Sequence, residues 1–403
     1  MRKLSALLLS SVLALSFIAS ASASTAPQKE WTMLVYLNGD NNLDSFGATN
    51  IEQMEKEGST DQVNVVVQWA SEGAGKTQRL LVQKSTNPNA VTSPILQDMG
   101  KVDMGSYKSL IDFITWGVQN YPAKHYFIDV WDHGSGWHAL KAMSSSMSSV
   151  RGSFHPTDIS WDDNSGNSIT TEQLGQAMAA AAQIIGHKVD LYGSDACLMA
   201  MAEVANEMSD SVDTFVGSQE TEPGAGWPYA ELLQGWNSYS AATPQQVAKV
   251  LVDAYVKSYQ NGSNGSSEVT FSAFDLNQMA QLDNAVSVFA KKVRTLDAAS
   301  KAKLLAAAQK TQNFVDADYG DLGDFITNIQ AARLSSPEVD DLKVAVEQFI
   351  IANADTTQYA RAKGLSIWLP TDASTYSSNS ARYQGMKFDK ATDWGSSLAY
   401  LLQ

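Results

Sequence analysis

The sequence predicts an α/β fold, a doubly wound and mainly parallel central sheet covered by helices. Two observations predict it. From Trp31 to Ser218 short apolar runs alternate with helical patterns, the rhythm of consecutive strand, helix, strand units. The composition agrees: 403 residues with 44% hydrophobic and 18% charged content supply enough apolar material for one large core or two ordinary ones. Disorder and collagen-like repetition are excluded on the same ground.

In chain order, the apolar runs predict strands at Trp31–Leu37, Val63–Trp69, His125–Trp131, Lys188–Gly193 and Thr214–Ser218. Helical periodicity falls between them at Leu43–Lys56, Tyr107–Gln119, Thr171–Ile185 and Leu198–Met208. Gly73-Ala74-Gly75 reads as a turn into a hairpin strand, Lys76–Lys84. Leu140–Asp163 is rich in Ser and Gly and lacks periodicity, which predicts a long exposed loop. From Pro244 onward longer helices are expected at Pro244–Tyr259, Leu276–Arg294, Ala298–Thr311 and Pro337–Ala352, interrupted by strands at Glu268–Phe274 and Gly364–Leu369. The Gly/Ser/Asn-rich Asn261–Ser267 is the natural boundary. The chain therefore divides into 1–23, a main domain over 24–262, and a helix-rich region over 263–403 that contributes further strands.

The first segment reads as a secretory signal peptide. Arg2 and Lys3 precede an apolar run from Leu4 to Ile18, and Ala21-Ser22-Ala23 is a small-x-small cleavage signal. No later segment approaches 18 uninterrupted apolar residues, so no membrane span is expected and the product is an exported protein, periplasmic, surface-held or released. Losing Arg2 and Lys3 takes the formal charge from −15 to −17, which repels phosphate backbones and excludes nucleic acid as a natural partner. The single cysteine, Cys197, cannot form an intrachain disulfide in a compartment that permits them. It is either a small core residue or a nucleophile.

Strands of a parallel sheet deliver the residues after their carboxyl ends to the ligand crevice. The strand ending at Trp131 is followed by Asp132-His133-Gly134-Ser135-Gly136-Trp137, and the strand after Lys188 leads to Ser194-Asp195-Ala196-Cys197. His133 and Cys197 are thus expected at one sheet edge, as a thiol nucleophile and its acid/base partner require. Gly134 permits close approach, so its N–H and that of Cys197 are candidate oxyanion-hole donors. Cys197 is also expected to open the next helix, whose N-terminus would lower the thiol pKa.

With these residues in view, the chain resembles the clostripain family of cysteine peptidases. The resemblance rests on Trp31-Thr32-Met33-Leu34-Val35-Tyr36 with Asp40-Asn41-Asn42-Leu43, on the segments around His133 and Cys197, and on Ser218-Gln219-Glu220 with Pro223-Gly224 and Gly226-Trp227. Asp321-Leu322-Gly323-Asp324-Phe325 and Gly364-Leu365-Ser366-Ile367-Trp368-Leu369-Pro370 fit as well. It implies a caspase-like αβα sandwich, shared with legumain and the gingipains, and a dyad at His133 and Cys197. It also implies peptide or protein substrates cut after Arg or Lys, dependence on calcium, and activation by self-cleavage.

The resemblance places Asp195 in a pocket for a cationic P1 side chain. Glu220 and Glu222 follow a strand and precede Pro223-Gly224, so either one is a candidate second pocket carboxylate or a solvated loop charge, and Trp227 is a candidate subsite wall or a buried aromatic beside a turn. Asp132 is expected to point away from the imidazole. The four other histidines lack metal-ligand spacing, so zinc is not expected. Asp162–Gln173 fails as a calcium loop at its sixth and twelfth positions, Asn167 and Gln173, and reads instead as a turn into a capping box of Thr170 with Gln173. Self-cleavage is expected after Lys141 or Arg151, in the long loop between the two catalytic residues. The competing reading is an exported, non-catalytic carbohydrate- or peptide-binding protein whose ten tryptophans form a platform. A serine hydrolase is excluded because no Gly-x-Ser-x-Gly elbow occurs.

Overall fold

The apolar runs pair as strands of one sheet. The computed structural model describes residues 28–87, 89–138, 158–239 and 241–403. Its strands are β1 (Lys29–Gly39), β2 (Val63–Ser71), β3 (Lys76–Leu81), β4 (Ile95–Gly100), β5 (Ala123–Trp131), β6 (Ile159–Asp162), β7 (Asn167–Ile169), β8 (Val189–Asp195), β9 (Val212–Gly217), β10 (Gln260–Gly262), β11 (Gly265–Ser266), β12 (Thr270–Asp275), β13 (Tyr319–Asp321), β14 (Ile350–Asp355) and β15 (Ser366–Trp368). The main sheet runs β14-β12-β9-β8-β5-β1-β2-β3-β4. Its centre, β9-β8-β5-β1-β2, is parallel, and both flanks are antiparallel.

Successive side chains of a strand point to opposite faces, and here both faces are covered. Trp31, Met33, Val35 and Leu37 of β1 pack into one apolar cluster with residues of α1 (Asp44–Glu55), α5 (Tyr229–Asn237) and α6 (Pro244–Ser258). Leu34 and Tyr36 enter the opposite cluster with α2 (Tyr107–Asn120), α3 (Thr171–Ile185), α4 (Ala202–Met208) and α7 (Met279–Val293). The result is a three-layer αβα sandwich. Because β12 and β14 extend the same sheet, residues 263–403 share a sheet and a core with the rest of the chain.

Three local expectations differ from the structure. The helix expected to reach Ala352 stops at Phe349, and Ile350–Asp355 pairs antiparallel with β12 as β14. The end of the expected Leu140–Asp163 loop is β6, a buried strand paired with β7. The helix expected from Leu198 starts at Ala202. The capping box does form: Thr170 accepts from Gln173 N, and the Gln173 side chain caps the Thr170 amide. The buried Asp162 carboxylate accepts from the Met104 and Ser165 amides, so the turn closes on protein donors. The signal region and both self-cleavage candidates, Lys141 and Arg151, lie outside the described residues. Among the described residues no helix is long and apolar enough to cross a membrane.

Candidate active site

Strand register brings the two chemical residues to one edge. β5 and β8 are parallel with Trp131 opposite Asp195, and the Asp132 N–H donates to the Asp195 carbonyl at 3.2 Å. His133 and Cys197 each follow that rung by two residues. Equal offsets from one rung of a parallel ladder place them side by side. Gly134 sits so close that a Cβ on it would lie 2.5 Å from the Cys197 carbonyl oxygen, a contact no other residue tolerates without moving the loops apart.

The imidazole is half-buried, and its Nε2 lies 2.7 Å from Oδ1 of Asn42, just beyond the end of β1. With an amide oxygen as acceptor, Nε2 carries the proton and Nδ1 is the basic nitrogen. Desolvation pulls the His133 pKa down to about 4, so the ring is neutral near neutrality. The buried Asp132 carboxylate accepts instead from Nδ2 of Asn38 and of Asn41, at 3.0 and 2.7 Å. Asn42 is an orienting residue that sequence reasoning missed. The signal was present, since it follows β1 at the edge to which the dyad belongs.

The Cys197 thiol accepts from the Glu222 amide at 3.3 Å. Burial pushes its pKa up to about 11; the Glu222 N–H works against this, while Glu220 and Asp195 add to it. The expected lowering by a helix N-terminus does not occur. Leu198 adopts a left-handed φ of 64°, and the Leu198 and Ala200 amides, ahead of the first residue of α4, donate to the carbonyls of Glu220 and Ser218. The resting dyad is therefore a neutral thiol beside a neutral imidazole. Gly134 bridges to Ile159, but the bonds run from Ser135 N to Asp158 O and from Ser160 N to His133 O, leaving the Gly134 amide out of the pairing.

Beside the thiol lies a buried acidic cluster. Asp195, 4% exposed, accepts at Oδ2 from the Trp227 amide at 3.2 Å and the Tyr229 hydroxyl at 2.8 Å. The Glu222 carboxyl faces Asp195, and neither Glu222 oxygen meets an N–H or O–H donor from the rest of the described protein. Two buried carboxyls in that position satisfy each other only by sharing a proton. Burial raises Asp195 to about 6 and raises Glu222 well above the carboxylate range, the Asp195 charge adding to the latter.

The structure separates the two glutamates that the sequence left equivalent. Glu220 is committed elsewhere: it accepts from the Thr221 and Val315 amides and from the Tyr359 hydroxyl at 2.8 Å. Glu222 alone joins Asp195. Trp227 is not an exposed subsite wall. Its ring is fully buried, stacks on Phe127 and packs edge-on against Phe271, so it forms part of the core behind the site.

Among the described residues, His138, Asp316 and Asp318 form a buried group whose ligand atoms all lie within 4.8 Å of one another. An imidazole belongs to transition-metal sites, whereas calcium takes oxygen ligands, so this group does not fit the calcium that the resemblance implies.

Residues 35–400 match the clostripain family. No curated protein matches the chain. Among solved structures, the fold is similar to a secreted C11 cysteine protease from Bacteroides thetaiotaomicron in complex with an irreversible peptide inhibitor, with a TM-score of 0.67 and 20% identity over 91% of this chain and 99% of that one. It is also similar to an inactive zymogen C11 protease from Parabacteroides distasonis, with a TM-score of 0.66 and 19% identity over 91% and 99% of the two chains. The likeness establishes the sandwich; the match along nearly the whole sequence establishes descent. With a lone thiol and an imidazole on adjacent strand ends, the chain belongs to the clostripain family and is a cysteine peptidase.

Proposed function

We propose that this peptidase is exported and cleaves peptide bonds after Arg or Lys, with Cys197 as nucleophile and His133 as acid/base. One observation supports the substrate reading above the others: Asp195 and Glu222 face each other beside the thiol, buried and, among the described residues, without a basic side chain in the groups acting on them. Buried carboxylates are costly unless a cation compensates them, and a P1 guanidinium or ammonium is such a cation.

The chemistry follows from the protonation states. On attack, the Cys197 proton passes to His133 Nδ1 as sulfur bonds to the scissile carbonyl carbon. The carbonyl oxygen gains the negative charge, stabilised by the Gly134 and Cys197 amides. His133 then gives that proton to the leaving nitrogen as the C–N bond breaks, leaving a thioester. Water, deprotonated by the same imidazole, releases the acid product and restores the thiol. A peptide library analysed by product mass tests the substrate reading: new carboxyl termini are expected to be Arg or Lys, and cleavage mainly after neutral residues overturns it.

Self-cleavage belongs to the same reading. A peptidase selective for basic P1 residues meets its own sites where Lys or Arg lies on an accessible loop. Only Lys141, Arg151 and Lys188 occur between the catalytic residues, and Lys188 is held at the foot of β8 with its amine on Ser209 O and Asn277 Oδ1. Changing Lys141 and Arg151 together to Ala is expected to leave a single band on denaturing gels where the wild type gives two fragments. Fragments that persist between His133 and Cys197 place the sites elsewhere.

A further inference from the structure

The pocket acid Asp195 is held by a second buried aspartate through one tyrosine. Tyr229, at the start of α5, has its hydroxyl 2.7 Å from Asp129 Oδ2 and 2.8 Å from Asp195 Oδ2. Asp129 is central in β5 and fully buried, two residues before Trp131, so it faces the same layer as Asp195. A tyrosine carries one proton and can donate to only one of the two oxygens. The other contact is a hydrogen bond only if that carboxyl carries a proton and donates to the phenol oxygen.

The geometry decides which one does. Asp195 Oδ2 also accepts from the Trp227 amide, a donor that supports its anion. Asp129 has weaker support: the Asp195 backbone N–H favours its anion but forms no hydrogen bond of ordinary geometry with it, and its Oδ1 meets no partner among the described residues. Among the described residues the other groups facing the cluster bring no positive charge. They are Glu222 before α5, Asn50 of α1, Tyr192 of β8, Tyr255 of α6, Tyr259 just after it, and Cys197. Burial and the Asp195 charge both raise the Asp129 pKa, in agreement with a neutral acid.

Building on the P1 reading above, we propose that Asp129 is a protonated positioning residue: its O–H donates to Tyr229, whose O–H donates to Asp195, fixing Asp195 as the anion that receives the P1 cation. With Glu222 also holding a proton toward Asp195, three carboxyls carry a single negative charge, matched to one guanidinium or ammonium. Sequence reasoning gave neither Asp129 nor Tyr229 a role, because each reads as a polar residue within or beside an apolar element.

Three variants test this with P1-Arg and P1-Ala peptide substrates. Asp129→Asn keeps a donor toward Tyr229 and is expected to retain wild-type kcat/KM and pH dependence within about twofold, because an amide N–H replaces the carboxyl O–H. Tyr229→Phe removes the donor to Asp195. It is expected to raise KM for the Arg substrate about tenfold with kcat little changed, and to move the acid limb of kcat/KM upward, because the carboxylate loses a hydrogen bond to its charged form. Asp129→Leu, which matches the heavy-atom shape of the side chain but cannot donate, is expected to shift in the same direction by less. Loss of Arg preference in Asp129→Asn would show that Asp129 acts as an ionised charge and overturns the proposal, as does an unchanged KM and acid limb in Tyr229→Phe. A wild type indifferent to basic P1 residues removes the substrate reading alone. The proton on Asp129 is then decided by infrared difference spectra of wild type against Asp129→Asn at neutral pH. A protonated-carboxyl carbonyl band lost in the variant upholds it, and its absence in the wild type refutes it.

Discussion

Cys197→Ala is expected to lower peptide hydrolysis by about 10⁴-fold or more, because the only thiol of the chain supplies the electrons that form the acyl intermediate. The fold should survive. Sγ accepts one hydrogen bond, from the Glu222 amide, and losing such a bond costs about 1 kcal/mol. Turnover of a P1-Arg substrate and a thermal melt read the two effects separately. A variant that melts like the wild type and still cleaves would move the nucleophile away from Cys197. The same substitution distinguishes an enzyme from a binding protein with an incidental dyad, since binding of a peptide does not need the sulfur.

Asp195→Asn is expected to lower kcat/KM for Arg and Lys substrates by about 10²-fold, the cost of removing one member of a desolvated charge pair, while P1-Ala substrates lose only a few fold. An equal loss on both would assign Asp195 a structural role beside the nucleophile. The pH dependence has a definite sign. Burial raises Asp195 from 3.8 to about 6, so the anion that the proposed function assigns to the P1 cation is present above that value and lost below it. kcat/KM for basic substrates should fall as pH drops through about 6, and this limb should be missing in the variant. His133, down at about 4, and Cys197, up at about 11, do not change charge in that window.

The placement of His133 and Cys197 after adjacent strand ends was legible because parallel strands are read as apolar runs and their carboxyl ends define one edge. The strands expected at His125–Trp131 and Lys188–Gly193 differ from β5 and β8 only at their ends, and the motifs that follow them fall at equal offsets. The state of the thiol was not legible. Leu198, Met199, Ala200 and Met201 are good helix formers, so the segment reads as the first turn of a helix. In the folded chain their backbone groups are used by distant partners: Ala200 N donates to Ser218 O, Ala200 O accepts from Ser366 N, and Met201 bridges to Ser366. Those bonds hold the segment open and deny Cys197 a helix N-terminus.

A similar competition created β14. Phe349-Ile350-Ile351-Ala352 suits a helix or a strand equally, and the free edge of β12 selected the strand by offering ladder partners. The pocket shows the same division at the level of single residues. By itself the sequence determined the layered α/β fold, the family, the capping box before α3 and the two strand ends that carry His133 and Cys197, because each depends on local periodicity, propensity or motif. Only the tertiary structure decided that Glu222 rather than Glu220 meets Asp195, that Asn42 holds the imidazole, that Trp227 belongs to the core, and that Asp129 reaches Asp195 through Tyr229. Each of these depends on which groups from remote segments share a buried volume. There an unpaired charge or donor is costly, so the arrangement is set by mutual satisfaction across the fold rather than by neighbours in the chain.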